Sequence, residues 1–405
     1  MSKLITNTIR HTGASSDALT LDSSGNTTAE GNLTVDGTST LTGNVTATGT
    51  LTASNFSGRN IVINGAMNIA QRGTSAAATG YKTVDRWKFN GDWPGSAITQ
   101  AQSDVAAGTT PYEKGFRKAW KVTNVSQSSA GASNFMHIDT KLEAQDIANS
   151  GWNYTSASSK ITLSFWVKSS VAQTFYGYLY TSDGTEQQYP FSFALSADTW
   201  TKVTKTIPGH ANLTFNNDTG EGLRITIAQF YGTTYTDSGV TLDAWGAYSG
   251  TANLPDNTST WFTTNAATFE LTGVQLEVGD VATSFEHKSY GDELARCQRY
   301  FFRLVAGNNQ AISVGGYYTS SLFTAHVYFP VTMRAAPTLD LGTGTDYYRI
   351  YHSGTNDNFN SFIQERTSTT GVCIDATSGV SGTEGNAGNM TTHNASAYVQ
   401  FAAEL

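Results

Sequence analysis

The residues best suited to chemistry in this sequence are aromatic rings that alternate with small polar residues along predicted strands. Sugars are bound by rings that stack on their apolar faces and by amide, carboxylate or hydroxyl groups that bond their hydroxyls. The row with this pattern in the middle of the chain is Trp166, Tyr176, Tyr178 and Tyr180. A concave sheet lined by these rings would form a glycan-binding cleft. The alternative is that this face packs under loops or against another subunit.

A second group of rings lies near the end of the sequence, among Asp, Asn and Gly residues. Aromatic residues on loops of this kind make adaptable contacts with a ligand. The group consists of Tyr317, Tyr318, Tyr347, Tyr348, Tyr351 and Phe359. The alternative for this group is packing between subunits.

Carboxylates give weaker signals for a metal site or for catalysis. Asp218 and Glu221 lie in the sequence NNDTGE, where clustered oxygens suit calcium, but the full calcium-loop pattern is absent and an ordinary polar turn is favoured. Glycoside cleavage needs two carboxylates across one bond, and the pairs Asp183/Glu186 and Asp218/Glu221 both lie on predicted turns. No nucleophile elbow, phosphate loop, dinucleotide fingerprint or His-rich metal motif occurs. We therefore predict a protein that is not an enzyme and needs no cofactor.

A glycine recurs every six residues between positions 25 and 54. The five units are GNTTAE, GNLTVD, GTSTLT, GNVTAT and GTLTAS, and each has threonine in its fourth place. Such units are very short strands with a turn, which become stable only by stacking on neighbours. Five units are too few for a single-chain β-helix, so we predict the shaft of a parallel homotrimer; the alternative is a disordered linker. The aliphatic residues expected to hold the chains together are Leu33, Val35, Leu41, Val45 and Leu51.

The middle of the chain has the alternation expected of an antiparallel sandwich or jelly roll. In the stretch KITLSFWVKS, one face consists of Ile161, Leu163, Phe165 and Val167. Asp183-Gly184 is a hairpin signal, and further strands are predicted at 200–207, 223–231 and 268–278. One helix is predicted at 288–298, where Ser289-x-x-Asp292 fits a capping box.

Composition supports an all-β protein and excludes some partners. Charged residues make up 14% of the 405 positions, whereas 12% are aromatic and 39 are glycine; an average soluble protein has roughly 25% charged residues. The net charge of −8 disfavours a nucleic-acid partner. No apolar run approaches the length of a membrane span, and no apolar signal segment opens the sequence, so we expect synthesis in a cytoplasm without export. Two cysteines, Cys297 and Cys373, do not make a disulfide framework.

Five segments of the sequence resemble segments of known proteins. The opening MSKLITNTIRHTGASSDALTLDSSGN resembles the N-terminus of cyanophage tail fibres, and GNLTVDGTSTLTG resembles shaft units found across phage fibres. INGAMNIAQRGTS and YKTVDRWKF, taken together with LTGVQLEVGDVATSFEHKSYGDELARCQRYFF, are similar to a signature of tail-fibre receptor-binding proteins. The resemblance covers residues 1–90 and 268–303, and the rest of the chain matches loosely.

The resemblance implies a homotrimeric virion fibre, assembled in the host cytoplasm and carried on the phage tail. It implies an N-terminus on a baseplate or tail protein, a jelly roll like those of carbohydrate-binding modules, and a tip that contacts host polysaccharide or lipopolysaccharide. The alternatives are a polysaccharide depolymerase tailspike and a structural connector that binds another virion protein. The expected segments are a virion-docking segment (1–24), the hexad shaft (25–58), the sandwich (59–287), a helical connector (288–300) and a small β-rich tip, the receptor-binding candidate (301–405).

Overall fold

The structure of the protein is a computed structural model that describes residues 8–9, 19–21, 23–24, 27–29, 58–93, 98–125 and 129–405. The chain divides into two compact units, Met1–Ser54 and Asn55–Leu405. Strands dominate the described residues, and the longest helix among them has 9 residues. The all-β fold class predicted from composition and alternation is confirmed.

The first unit contains a small antiparallel sheet. Its strands are β1 (Thr8–Ile9), β2 (Leu19–Leu21) and β3 (Thr27–Ala29), in the order β1-β2-β3. The third strand belongs to the first glycine hexad. The trimeric shaft stays a prediction, because its expected contact residues lie outside the described residues, namely Leu33, Val35, Leu41, Val45 and Leu51.

The second unit contains a sandwich of two six-stranded antiparallel sheets. In chain order its strands are β4 (Ser75–Ala76), β5 (Lys88–Asp92), β6 (Thr99–Asp104), β7 (Lys118–Thr123), β8 (Phe135–Glu143), β9 (Lys160–Ser169), β10 (Gln173–Thr181), β11 (Gln187–Leu195), β12 (Thr201–Pro208), β13 (Glu221–Tyr231), β14 (Gly246–Ala247) and β15 (Thr268–Val278). The sheet ordered β14-β11-β10-β13-β8-β5 is named the tyrosine sheet, and the sheet ordered β12-β9-β15-β7-β6-β4 is named the tryptophan sheet.

Alternating apolar side chains fill the space between the two sheets. On β9 the fully buried apolar residues are the predicted set Ile161, Leu163, Phe165 and Val167. The ring of Phe165 meets that of Phe193 on the facing sheet edge-on, with centroids 5.5 Å apart. Each such side chain contributes about 1.5–3 kcal/mol by leaving water. The predicted Asp183-Gly184 hairpin joins β10 to β11, which pair antiparallel.

Three short helices and one longer helix connect the strands. They are α1 (Thr110–Glu113), α2 (Ala144–Ala148), α3 (Thr260–Thr263) and α4 (Tyr290–Gln298). The backbone N–H of Asp292 donates to the Ser289 hydroxyl at 3.2 Å, as the predicted cap requires. The predicted helical connector is therefore confirmed, with α4 beginning at Tyr290.

The C-terminal part of the second unit is built from ten strands in two sheets. They are β16 (Phe301–Ala306), β17 (Ala311–Thr319), β18 (Leu322–Tyr328), β19 (Thr338–Leu341), β20 (Tyr348–His352), β21 (Thr355–Phe359), β22 (Ile363–Glu365), β23 (Gly371–Ala376), β24 (Ala387–Thr392) and β25 (Tyr398–Ala402). A three-stranded sheet has the order β16-β25-β19, and a seven-stranded sheet has the order β21-β20-β24-β17-β18-β23-β22. The last strand thus returns to the strand that follows α4.

A buried charged cluster joins the sandwich to this C-terminal part. Arg86 is 1% exposed, and its guanidinium donates to the Glu404 carboxylate and, at 2.6 Å, to the carbonyl of Lys141. It also lies 3.4 Å from the centre of the Tyr300 ring. Arg72 pairs with the same Glu404 carboxylate at 3.1 Å. One carboxylate next to the end of the sequence therefore pairs with two guanidinium groups, of which that of Arg72 also lies 3.9 Å from the Asp85 carboxylate.

Replacing Glu404→Gln should lower the free energy of unfolding by about 3 kcal/mol, because it leaves buried guanidinium charge without its partner. Urea unfolding measures the change. Glu384→Gln is the matched control, because Glu384 is exposed and its loss should change the free energy by less than about 0.5 kcal/mol. Equal unfolding midpoints for the two variants would contradict the role given to the cluster.

Candidate functional site

The three predicted tyrosines of β10 point away from the core but do not line an open groove. Tyr178 and Tyr180 are 4% and 8% exposed, because the segment 232–256 packs over them. Leu254 of that segment is fully buried against this face, and Tyr248 meets the Tyr180 ring edge-on with centroids 4.8 Å apart. Tyr176 keeps part of its surface in contact with solvent. The segment 232–256 thus turns most of this face into a second small core.

A chain of hydrogen bonds fixes the covered tyrosines. The hydroxyls of Tyr178 and Tyr231 are 3.2 Å apart, and the Tyr231 hydroxyl is 2.9 Å from Nδ1 of His137. The other ring nitrogen of His137 lies 3.3 Å from the Asp139 carboxylate. Burial raises the pKa of Tyr178 above its ordinary value, so its hydroxyl stays protonated near neutrality. These contacts use up the polar groups that a sugar would otherwise bond.

Trp166 is separated from the tyrosines because consecutive strands belong to different sheets. It lies on β9 in the tryptophan sheet, whereas the tyrosines lie on β10 in the tyrosine sheet. Their outward faces are on opposite sides of the sandwich, since Phe165 and Val167, the neighbours of Trp166, point into the core. The predicted row of four rings is therefore wrong as a single surface. Alternation alone does not reveal whether the next strand continues a sheet or crosses to the other.

Trp166 lines an open cleft of about 510 Å³ on the outer face of the tryptophan sheet. Two further rings line the same cleft: Phe116 and Phe285 meet edge-on with centroids 4.9 Å apart. The imidazole of His287 lies 4.9 Å from the Phe285 ring and is 2.9 Å from the carbonyl of Lys114, so it fixes one side of the opening. We name this site the Trp166 cleft.

An irregularity in β15 makes room for the rings. The register between β15 and β9 shifts between Thr272 and Gln275, and Gly273 within the shift has φ +64°. A Cβ at Gly273 would lie 2.6 Å from the Phe116 ring. Glycine is therefore required both by the left-handed backbone and by the close approach of the ring.

Polar side chains surround the rings of the Trp166 cleft. Lys202, opposite Trp166 on the neighbouring strand β12, and Glu113, at the end of α1, are exposed. Neither side chain has an ion-pair partner among the described residues, and within that part of the chain the Trp166 indole N–H makes no hydrogen bond. The cleft can thus offer a stacking surface together with a cation, a carboxylate and an indole donor to a ligand rich in hydroxyls.

The second predicted group of rings divides into buried and exposed members. Tyr317, Tyr348 and Phe359 are at most 2% exposed and belong to the core of the C-terminal part. Tyr318 is 69% exposed and Tyr351 41% exposed, since alternation places them on the outer face of the seven-stranded sheet. Tyr347 is half-buried. Two of the six rings are therefore well exposed to a partner.

Several residues at these surfaces could not be identified from the sequence alone. Phe116, Phe285 and Lys202 reach the Trp166 cleft from different parts of the chain, and no local pattern links them. On the outer face of the seven-stranded sheet, Val314 is also 70% exposed and Tyr328 77% exposed. The alternation of β17 and β18 was the available signal, because it separates the buried from the outward residues of each strand.

The carboxylates weighed for calcium or catalysis have partners within the fold. Glu221 pairs with Lys141 and with Arg224, each at 2.6 Å. Asp218 accepts from the backbone N–H of Gly220 at 2.9 Å. Across the described ranges, no group of three or more His, Cys, Asp or Glu side chains is arranged to hold a metal ion.

Within the part of the chain that the structure describes, no helix combines the length and the hydropathy needed to cross a membrane.

No protein-family model and no curated protein matches this sequence. Among solved structures, the tailspike protein 4 enzymatically active domain of bacteriophage CBA120 is 8% identical over 54% of this chain and 21% of that chain, with a TM-score of 0.29. A family 11 carbohydrate-binding module of a Clostridium thermocellum cellulase is 12% identical over 53% of this chain and 98% of that chain, with a TM-score of 0.25. The N-terminal cellulose-binding domain of a Cellulomonas fimi glucanase is 13% identical over 52% of this chain and 98% of that chain, with a TM-score of 0.27. TM-scores this low leave the ligand of this chain to be inferred from its own residues.

Replacing Tyr231→Phe should lower the free energy of unfolding by about 1–2 kcal/mol and leave ligand binding in the Trp166 cleft unchanged. The missing hydroxyl strands the buried groups of Tyr178 and His137 without a partner, but it does not touch the Trp166 cleft. Urea unfolding and calorimetric titration test the two halves of this expectation. Tyr290→Phe is the control, because Tyr290 is 65% exposed. Loss of ligand binding at unchanged stability would instead place the binding site on the outer face of the tyrosine sheet.

Proposed function

We propose that this protein binds a surface glycan in the Trp166 cleft. The observation that carries the proposal is the convergence of Trp166, Phe116 and Phe285 in an open cleft of about 510 Å³, with exposed Lys202 and Glu113 beside them. A cleft of this volume is in the range of small-molecule sites. Sugar rings stack on the partly exposed rings of Trp166 and Phe285, which pack against the buried ring of Phe116. Hydroxyls bond to the charged groups and to the indole N–H.

We further propose that the glycan-binding chain is a homotrimeric phage tail fibre. The proposal is supported by the strict glycine hexads and by the resemblance of the segments INGAMNI and LTGVQLEV to tail-fibre receptor-binding proteins. In this proposal the N-terminus attaches to a baseplate or tail protein of a cyanophage-like virion. The second unit then contacts polysaccharide or lipopolysaccharide of the host.

The proposed activity is adhesion without cleavage. Asp183 accepts two hydrogen bonds of 2.8 Å from Asn216, and Glu186 accepts one from the Tyr180 hydroxyl. These carboxylates, like Asp218 and Glu221, have structural partners and lie outside the Trp166 cleft. Release of reducing ends from host polysaccharide by the purified protein would favour the depolymerase alternative.

One observation favours a second candidate function, a connector that binds another virion protein. Val314, Tyr318 and Tyr328 expose 70%, 69% and 77% of their surfaces on the outer face of the seven-stranded sheet. An apolar group of this kind is typical of a protein contact. Recovery of a second virion protein on this face, with no glycan bound by the Trp166 cleft, would support the connector.

Trp166→Ala should weaken glycan binding at least tenfold, as expected for an aromatic anchor at the centre of a site. Binding is screened on an array of bacterial surface polysaccharides and then measured by calorimetry with the strongest array ligand. Tyr290→Ala is the matched control, since it removes an exposed ring outside the cleft. Unchanged binding by Trp166→Ala, together with loss of binding by Tyr318→Ala, would move the site to the tip.

The solution mass should be that of a trimer, about 130 kDa for chains of 43.3 kDa, with an elongated shape. Light scattering after size exclusion measures both. Deletion of 25–54 should abolish the trimer, because the hexads are expected to hold the chains in register. A trimer that survives the deletion would place the assembly contacts in the second unit.

A further inference from the structure

A second cleft, of about 650 Å³, lies away from the Trp166 cleft. Its walls come from residues 58–61, from helix α2 with the residues after it, from Val278 at the end of β15, from Lys288 just before α4 and from Arg296 in the last turn of α4. None of the described residues that line it is aromatic, and its neutral polar groups include the side chains of Gln145, Asn149 and Ser150. Recognition in this cleft must therefore be polar. We name it the Arg296 cleft.

The charges around the Arg296 cleft oppose those of the whole protein. Arg59, Lys288 and Arg296 line it together with a single carboxylate, Asp146. The whole chain, in contrast, has a net charge of −8. A local excess of cations on an acidic protein focuses anions on one place and discriminates against neutral ligands.

The cations of this cleft are unequally compensated by the fold. Lys288 pairs with Glu286 at 3.0 Å. Arg59 donates to two neutral acceptors, the Thr283 hydroxyl and, at 3.1 Å, the Ser284 carbonyl. Arg296 has no hydrogen-bond or ion-pair partner within the described residues, and its Nη1 atom is buried. Among the described residues, therefore, neither of the two guanidinium groups that line this cleft forms an ion pair with a carboxylate.

We propose that the Arg296 cleft binds an acidic saccharide through its carboxylate. A guanidinium matches the two oxygens of a carboxylate with parallel hydrogen bonds, which makes it a strong anion ligand. The volume of the cleft leaves room for the sugar ring beside the anionic group, where amides and a hydroxyl meet its hydroxyls. A phosphate group shares the charge chemistry but not the need for this additional room. The inference stands without the Trp166 cleft, since the two sites have no lining residue in common.

The test is calorimetric titration of the full chain with trigalacturonate at low salt. Arg296→Gln should weaken binding about tenfold or more, as expected for loss of a charge-assisted hydrogen bond. Asp146→Asn should tighten binding severalfold, because it removes the one competing carboxylate; this gain could not arise from a misfolded variant. Lys82→Gln, an exposed lysine outside the cleft, is the matched control and should bind as the parent does.

Two further ligands and one variant separate the alternatives. A neutral galactose trisaccharide should not bind in the Arg296 cleft, and inorganic phosphate should compete far more weakly than trigalacturonate. Trp166→Ala should bind trigalacturonate normally, so failure of the Trp166 proposal would be seen separately. Equal affinity of Arg296→Gln and the parent chain would overturn the proposal. Phosphate affinity equal to that of trigalacturonate would reduce the cleft to a simple anion site and would also overturn it.

Discussion

The arrangement of the second unit depends on the contact of Arg86 with Glu404. Arg86 belongs to the sandwich, and Glu404 follows the last strand, so one ion pair connects segments more than 300 positions apart in the sequence. The guanidinium is buried against the Tyr300 ring beside α4, and a buried charge of this kind is tolerated when its partners hold it in place. Glu143 strengthens the same junction by accepting from Arg299 at 2.7 Å and from the Tyr300 hydroxyl at 2.6 Å. The sandwich, α4 and the last strand are consequently fixed against one another.

The segments that resemble tail fibres build this framework together. Val274 donates to the Gly65 carbonyl at 2.9 Å, and Ile61 donates to the Leu276 carbonyl at 3.0 Å, so residues 61–65, which include the start of INGAMNI, lie along β15. A Cβ at Gly65 would stand 2.0 Å from the Val274 carbonyl oxygen, which explains glycine at that position. Phe285 comes from the resembling segment as well, whereas Trp166 lies outside it. The framework that these segments build therefore supports the Trp166 cleft. The residue at the centre of the cleft, Trp166, comes from the part of the chain where the resemblance is only loose.

Local sequence patterns predicted the strands, the hairpin and the helix cap, because alternation and turn preferences depend on neighbouring residues. They did not foretell which sheet each strand joins. Trp166 and Tyr178 stand 12 positions apart on consecutive strands, yet the crossover from β9 to β10 puts them on opposite faces of the sandwich. The burial of Tyr178 and Tyr180 under residues 232–256 could not be predicted either, since that segment has no periodic sequence pattern. The fold alone shows which distant segments line one cleft, as Arg296 and residues 58–61 do.

Opposite pKa shifts at the junction show how its charges respond to acid. Burial raises the pKa of Asp85 to about 6, although Arg72 opposes the shift. A carboxyl whose pKa is raised by folding binds its proton more tightly in the folded state than in the unfolded state. Its contribution to stability therefore grows as the pH falls from about 6 to the ordinary pKa of an aspartate. Glu143 behaves in the opposite way. Burial raises its pKa, but the hydrogen bonds from Arg299 and Tyr300 outweigh this effect, so that the net pKa lies below the ordinary value. Its contribution is lost only when the pH falls through that lowered pKa. As the pH falls from neutrality, the gain at Asp85 therefore comes at a higher pH than the loss at Glu143.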